Sequence, residues 1–184
     1  MMTATSLRQP ELLINPERPQ DAAAVDALVD RAFGPGRFTK VSERVREFAA
    51  PRHDLSFCAW EDGKLVGVVR QWLVDVGGRP VIFLGPLAVD EAARLHGAGG
   101  ALVERAAQAA ADAGFDTVLL VGDEPYFRRL NFAVVPHGRV TLPGPVDPRR
   151  ILVRALRSGA AAELAGPVRA HPLARKLEAG PAQA

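Results

Sequence analysis

The sequence predicts an α/β fold of the α+β type, in which three antiparallel strands precede a strand–loop–helix–strand unit. Residues 81–89 and 117–121 are apolar, β-branched runs with the character of buried strands. Between them lie a loop, three closely spaced glycines and an alanine-rich helix. A chain of 184 residues suits one domain, and we expect its core at about residues 11–156 and a C-terminal arm over residues 160–184.

Two helices are predicted near the start of the chain. Residues 11–15 form a short strand, and the helix that follows has an apolar stripe ending at Phe33. Gly34 then ends the helical pattern. Residues 42–48 form a shorter second helix, and Ser42 is its expected N-cap.

Three consecutive strands are predicted next, over residues 55–60, 65–76 and 81–89. The connections between them are short and contain glycine, at residues 61–64 and 77–80. Such connections are typical of hairpins, so we expect the three strands to be antiparallel.

The central helix has one small apolar face and one polar face. The apolar positions are Ala98, Leu102, Ala106, Ala109 and Ala113, and the polar positions are Glu104, Gln108 and Asp112. Alanine allows the helix to pack closely on the sheet, and Gly114 is its expected C-cap. Beyond residues 117–121, Pro125 suits the first turn of a short helix. Further strands are predicted over residues 133–136, 140–142 and 151–156.

The glycines that open the central helix are the strongest chemical signal in the sequence. Gly97, Gly99 and Gly100 lack a Cβ, so their backbone can approach a ligand closely. A helix start exposes unpaired N–H groups and partial positive charge, and its natural occupant is a phosphate. A Rossmann fingerprint would need glycine where Leu102 stands, and a P-loop would need a lysine that this loop lacks. A dinucleotide-binding domain is therefore the disfavoured alternative.

The run Arg94-Leu95-His96-Gly97-Ala98-Gly99 resembles the Arg/Gln-x-x-Gly-x-Gly/Ala signature of the GNAT superfamily of N-acetyltransferases, and the order of the flanking elements agrees. The resemblance covers roughly residues 11–156. It implies a GNAT-type fold, with a central mixed, mostly antiparallel sheet and helices on both faces. It also implies an acetyl-CoA-dependent transfer of an acetyl group to a primary amine of a small molecule or peptide. A non-catalytic acyl-CoA-binding module of the same fold is the alternative.

The resemblance also assigns a cofactor site. In that family the loop and helix start wrap the pyrophosphate of acetyl-CoA, and the splayed end of the fourth strand holds the pantetheine arm. The cofactor-binding residues implied are Leu87, Ala88, Val89, Arg94, Leu95, His96, Gly97, Ala98, Gly99, Gly100 and Phe127. One departure is Asn131, which replaces a corner glycine of the family and also accepts a left-handed backbone.

Acetyl transfer needs a neutral amine, a polarised thioester carbonyl and a protonated leaving thiolate. The family implies a backbone N–H donor to the carbonyl within residues 87–89. Tyr126 is the only tyrosine, so it is the candidate general acid, although the usual tyrosine position of the family holds Phe127. The alternative is that Tyr126 packs under the sheet edge. Glu124 or Asp123 is the candidate base, and capping the next helix is the alternative role for each.

Composition and charge argue against several other classes of protein. A net charge of +2 is too slight to indicate a nucleic-acid partner, and no apolar run approaches the ~20 residues of a membrane span. The first residues lack an apolar signal core and Cys58 is the single cysteine, so we expect a cytoplasmic protein without disulfides. The four histidines are scattered, and no metal is expected. Acetyl-CoA and an amine are the expected partners, a homodimer is compatible with the sequence, and residues 34–41 would overhang the acceptor.

Overall fold

The computed structural model describes residues 11–173, which form a ten-stranded sheet and six α-helices. The strands are β1 (Leu12–Pro16), β2 (Ala50–Pro51), β3 (Phe57–Glu61), β4 (Lys64–Val76), β5 (Arg79–Val89), β6 (Thr117–Val121), β7 (Ala133–Val134), β8 (Val140–Thr141), β9 (Ile151–Ala155) and β10 (Gly166–Ala170). The α-helices are α1 (Ala22–Phe33), α2 (Val41–Phe48), α3 (Glu91–Arg94), α4 (Ala98–Asp112), α5 (Glu124–Arg128) and α6 (Ala160–Glu163).

The main path of the sheet runs β1-β3-β4-β5-β6-β9-β7, and only the β5–β6 pair in that path is parallel. Strands β2 and β10 pair with β4, and β8 pairs with β10. The predicted mixed, mostly antiparallel sheet is confirmed, as are the three antiparallel strands β3, β4 and β5. Strand β10 lies in the predicted C-terminal arm and extends the sheet, while residues 174–184 of that arm lie outside the described residues.

The hairpin between β3 and β4 has a two-residue loop, because Asp62 and Gly63 both adopt positive φ, at 48° and 77°. This is the backbone that a type I′ turn requires, and it matches the twist of the flanking strands. Strand β3 begins two residues later than predicted. The Ser56 hydroxyl donates to the Arg52 carbonyl, which closes a turn over His53–Leu55 and delays the extended conformation until Phe57.

Helices cover both faces of the sheet, as predicted. Along β5, Ile82 and Leu84 belong to the cluster that includes the buried side of α4, whereas Phe83 packs with Val45 of α2. Helix α1 covers the same face as α2, through a further cluster that includes Val25. The alternation along β5 follows from the period of two in a strand and determines which face of the sheet each helix covers.

Two helix boundaries show where local patterns succeed and fail. The prediction that Ser42 caps α2 is wrong, because a 3-10 helix over Pro35–Thr39 leads directly into α2 and places the N-cap at Lys40. Asn131 adopts a φ of 62°, which confirms its predicted left-handed backbone. Ala113 is exposed rather than turned toward the sheet, because α4 has already ended at Asp112.

Candidate functional site

The two central parallel strands separate halfway along their length. Strands β5 and β6 pair only at Ile82–Val118 and Phe83–Leu119. Beyond these pairs β5 continues beside β4 alone, and its register with β4 is irregular. Between the pairs Gln71–Leu84 and Val69–Leu87, β5 contains two residues where β4 contains one. An extra residue of this kind bends the strand that carries it, and a gap opens between the ends of β5 and β6.

Two cavities occupy this gap and its surroundings. The helix-start cavity, of about 540 Å³, lies between residues 87–89 of β5 and the start of α4. The strand-end cavity, of about 480 Å³, lies between residues 84–87 of β5, the end of β6 and α2. Phe33, Leu87 and Tyr126 line both cavities, so the two spaces meet at these three side chains.

Three backbone amides at the start of α4 have no hydrogen-bond partner in the part of the chain described. They are the N–H groups of Ala98, Gly99 and Gly100, and two of these residues, Gly99 and Gly100, line the helix-start cavity. The N–H groups of His96 and Gly97 already donate to main-chain carbonyls. The free backbone donors of this segment therefore lie in the first turn of the helix, where the helix dipole adds partial positive charge.

Most of the residues predicted to bind the cofactor lie at this cavity. Seven of them line it, namely Leu87, Ala88, Val89, Arg94, Gly97, Gly99 and Gly100. Phe127 lines the strand-end cavity instead. Leu95 is 87% exposed, and His96 has its Nδ1 3.4 Å from Glu61 Oε1, so these two side chains are not brought to either cavity. Ala98 is buried and lines neither cavity.

The splayed end of β5 presents backbone groups to the gap. The Asp90 N–H donates to the Val66 carbonyl of β4 at 2.8 Å. Because the residues of an antiparallel strand alternate between its two sides, Leu87 and Val89 turn their N–H and C=O groups away from β4. The Val89 carbonyl accepts a bond from Arg94 Nε at 3.0 Å, which agrees with this orientation. The N–H groups of Leu87 and Val89 are thus donors that face the cavities.

Tyr126 stands where the cavities meet. Its hydroxyl lies over Gly99, since a Cβ added to Gly99 would be 2.6 Å from Tyr126 Oη. Burial raises the pKa of Tyr126 and nearby Arg129 opposes this shift, with burial the larger effect. The phenol is therefore protonated at neutral pH and able to donate a proton. The neighbouring Phe127 is buried, and its ring lies edge-on to that of Tyr126 at a centroid distance of 4.9 Å.

The two candidate bases are in different environments. Asp123 is exposed, lines the strand-end cavity and has no ion-pair partner among the described residues. Glu124 binds Arg128 Nε at 2.6 Å, and its side chain belongs to neither cavity in the part of the chain described. Asp123 is the N-cap residue of α5, but its side chain makes no capping bond. Of the two predicted bases, Asp123 therefore lines a cavity with a carboxylate that has no ion-pair partner in the described chain, and Glu124 does not.

The cavities are also lined by residues that the sequence did not single out as site residues, among them Phe33, Arg46 and Arg129. Phe33 was expected to continue the apolar stripe of α1, but it is 38% exposed and lies at the junction of the two cavities. Arg129 lines the helix-start cavity and Arg46 lines the strand-end cavity. The pair Arg128-Arg129 was a visible signal in the sequence. The position of Arg46 follows from how α2 packs on β5, which no local pattern indicates.

Cys58 is the single cysteine of the sequence, and it is buried. Burial raises the pKa of Cys58 to about 12, and Glu17 and Asp21 add to the shift, so its thiol is a poor nucleophile. Within residues 11–173 no group of three or more His, Cys, Asp or Glu side chains could hold a metal ion. The same span contains no helix with the length and apolar character needed to cross a membrane.

A mixed sheet that splays beside a glycine-opened helix defines the fold of the acyl-CoA N-acyltransferases. Residues 22–133 match the family model described as "Acetyltransferase (GNAT) family", and the chain belongs to this family. It is 33% identical over 129 residues to the uncharacterized N-acetyltransferase YhbS of Escherichia coli strain K12, a match that covers 68% of this chain and 76% of the relative.

Two solved structures are also similar to this chain. Escherichia coli YhbS in complex with CoA has a TM-score of 0.74 and 29% identity, over 89% of this chain and 91% of that one. A GNAT family acetyltransferase from Brucella melitensis in complex with acetyl-CoA has a TM-score of 0.54 and 28% identity, over 83% of this chain and 99% of that one. The predicted GNAT-type fold is therefore confirmed.

Proposed function

We propose that this chain transfers the acetyl group of acetyl-CoA to a primary amine, by direct attack of the amine on the thioester. The observation that carries the proposal is the junction of the two cavities at Leu87 and Tyr126. Free amides lie on one side of this junction and the unpaired carboxylate of Asp123 lies on the other. The binding of CoA or acetyl-CoA by the similar solved proteins supports acetyl-CoA as the cosubstrate.

The helix-start cavity has the groups that a CoA diphosphate needs. The amides of Gly99 and Gly100 would hold the diphosphate oxygens, and Arg94 and Arg129 line the same cavity with positive charge. The outward-facing Val89 N–H and Leu87 carbonyl would pair with the amides of the pantetheine arm. Acetyl-CoA itself supplies the activated acetyl thioester.

A residue is available for each step of the proposed transfer. Asp123 would take the proton that the amine must lose, directly or through a water molecule. The Leu87 N–H would donate to the carbonyl oxygen as negative charge develops on it. The new C–N bond forms, the C–S bond breaks, and Tyr126 would give its proton to the departing thiolate. No cysteine intermediate is needed, in keeping with the raised pKa of the buried Cys58 thiol.

A second candidate function is a non-catalytic acyl-CoA-binding module, which Phe127 favours because it occupies the usual tyrosine position. Release of free thiol from acetyl-CoA, measured over a panel of amines, separates the two functions. We expect turnover on at least one amine, together with acetyl-CoA binding measured by calorimetry. Binding without turnover on any amine would leave the module as the function.

The dinucleotide alternative is tested by thermal shift with CoA and with NAD. We expect CoA to raise the melting temperature, because a ligand that binds only the folded state stabilises it by mass action. NAD should leave the melting temperature unchanged. Stabilisation by NAD alone would contradict the proposed cosubstrate.

A further inference from the structure

The strand-end cavity is lined by a largely buried cation that acetyl transfer itself does not use. Arg46 of α2 reaches β5 beside Gly85, where an added Cβ would lie 3.3 Å from Arg46 Nη2. The Arg46 side chain is only 11% exposed, although it lines the cavity. Its guanidinium therefore lies at the inner wall of the acceptor space, away from bulk solvent.

Only one nitrogen of this guanidinium has a partner among the described residues. Arg46 Nη1 donates to Glu43, and the same carboxylate lies 3.5 Å from Arg37 Nη1, so two cations share it. Arg46 Nε is buried with no hydrogen-bond partner, and Nη2 has no acceptor within residues 11–173. The Nε–Nη2 edge is one that binds a carboxylate through two parallel N–H···O bonds.

The electrostatics around Arg46 favour an anion. Burial is the largest influence and lowers the pKa of Arg46, Glu43 opposes this, and Arg37 lowers the pKa further. The cation is thus incompletely compensated by the protein. A buried charge of this kind is costly unless a counter-charge reaches it.

The remaining charges of the cavity leave room for an acidic ligand. Lys40 and Arg150 also line the cavity and add positive charge. The Asp147 carboxylate is held by Arg149 Nη2 at 2.8 Å. Asp123 is therefore the one carboxylate of the lining without an ion-pair partner in the described chain, and it faces the amine in the proposed reaction.

We infer that the acceptor is a small amine that also bears a carboxylate, as an amino acid does, and that Arg46 binds this carboxylate. The inference rests on the proposed function, which places the amine near Leu87 and Asp123. Gly85 and Leu87 are two residues apart on β5, so their Cα atoms are at most about 7 Å apart. One small molecule can span this distance with its carboxylate at Arg46 and its amine at the thioester.

The test compares matched acceptors in the thiol-release assay. The panel contains the proteinogenic amino acids, each with its primary amide, which keeps the amine and side chain and removes the negative charge. Amidation also lowers the pKa of the amine, because it removes a neighbouring anion, so chemistry alone favours the amide. We expect kcat/KM for the best acid to exceed that of its amide by about tenfold or more, as charge-assisted hydrogen bonds allow.

Arg46→Gln should lower kcat/KM for the acid by about tenfold to a hundredfold while leaving the amide and acetyl-CoA affinity nearly unchanged. Arg44→Gln is the matched control, because Arg44 lies on the same helix, is exposed and does not line the cavity. In Arg44→Gln, the ratio of kcat/KM for the acid to kcat/KM for its amide should equal that of the unmodified chain. If Arg46→Gln is unstable, Arg46→Lys tests the same point. Lysine keeps the positive charge but cannot make two parallel hydrogen bonds to a carboxylate, so this variant should lower the ratio of kcat/KM for the acid to kcat/KM for its amide.

The outcomes separate this inference from the proposed function. Amides acetylated as well as acids, or an unchanged acid-to-amide ratio in the Arg46 variants, would overturn the carboxylate inference while leaving an acetyltransferase. Binding of acetyl-CoA with no turnover on any acid or amide would overturn the proposed function and this inference with it.

Discussion

Replacement of Gly99 by alanine should displace Tyr126, the proposed general acid, without removing a group that binds the cofactor. The substitution keeps the Gly99 N–H, which is one of the three free amides of α4. Its new Cβ would lie 2.6 Å from Tyr126 Oη, about 0.8 Å inside ordinary contact, and 3.6 Å from Val89 Cγ2. The flexible phenol must therefore move, while the strand beside it need not.

The expected loss follows from this displacement. Because a misplacement of about 1 Å in a reacting group can cost roughly a hundredfold in rate, we expect Gly99→Ala to lower kcat by about tenfold to a hundredfold. The KM for acetyl-CoA should change little. Stability should be unchanged or higher by up to about 1 kcal/mol, because alanine favours a helix over glycine.

Gly100→Ala is the control for this experiment, since its Cβ would meet only Leu130 Cδ2 at 3.5 Å, an ordinary contact. We expect it to retain kcat. Thiol release gives kcat and KM, and urea unfolding gives the stability of each variant. A double-mutant cycle adds Tyr126→Phe, which should cost little further activity in the Gly99→Ala background. Equal kcat for Gly99→Ala and Gly100→Ala would show that displacing the Tyr126 hydroxyl does not affect the rate.

Three other outcomes follow from the site and the core. Asp123→Asn should lower kcat by about a hundredfold, as loss of a general base does, whereas Glu124→Gln should change it little; the reverse order in the thiol-release assay would exclude Asp123. Because burial raises the pKa of Tyr126, its phenol keeps its proton to a higher pH than a free tyrosine does. The rate should then rise with pH as the amine loses its proton, with no alkaline decline below about pH 10, and a decline by pH 9 would remove Tyr126 from the mechanism. Gln71→Leu should cost about 1–3 kcal/mol in urea unfolding, because the buried Gln71 amide donates to the Leu55 and Ala106 carbonyls; unchanged stability would contradict this.

Much of the fold follows from local patterns in the sequence. The hairpin at Asp62-Gly63 and the glycine-opened helix α4 depend on residues close together in the chain, and both were predicted. The family signature at residues 94–99 indicated the position of the helix-start cavity, because the first residues of any helix lack intrahelical acceptors for their amides and glycines there let a ligand come close. Tyr126 was found because the chain has no other phenol.

The rest of the site depends on packing that spacing alone does not determine. The sequence suggested free amides from residue 94 onwards, but a short helix and its turn already use those of His96 and Gly97. Arg46 lines the strand-end cavity because α2 brings its side chain beside Gly85 of β5. Phe33 leaves the core because α1 ends beside the splayed strand. The preference for Asp123 over Glu124 depends on where Arg128 lies.

The proposed transfer begins with the diphosphate of the cofactor bound by the amides of Gly99 and Gly100. Amide NMR of the ¹⁵N-labelled chain, titrated with CoA and separately with pantetheine, examines this contact, because pantetheine lacks the diphosphate. We expect these two amide resonances to shift strongly with CoA and little with pantetheine. Saturable CoA binding that leaves both resonances unmoved would contradict the proposed binding mode.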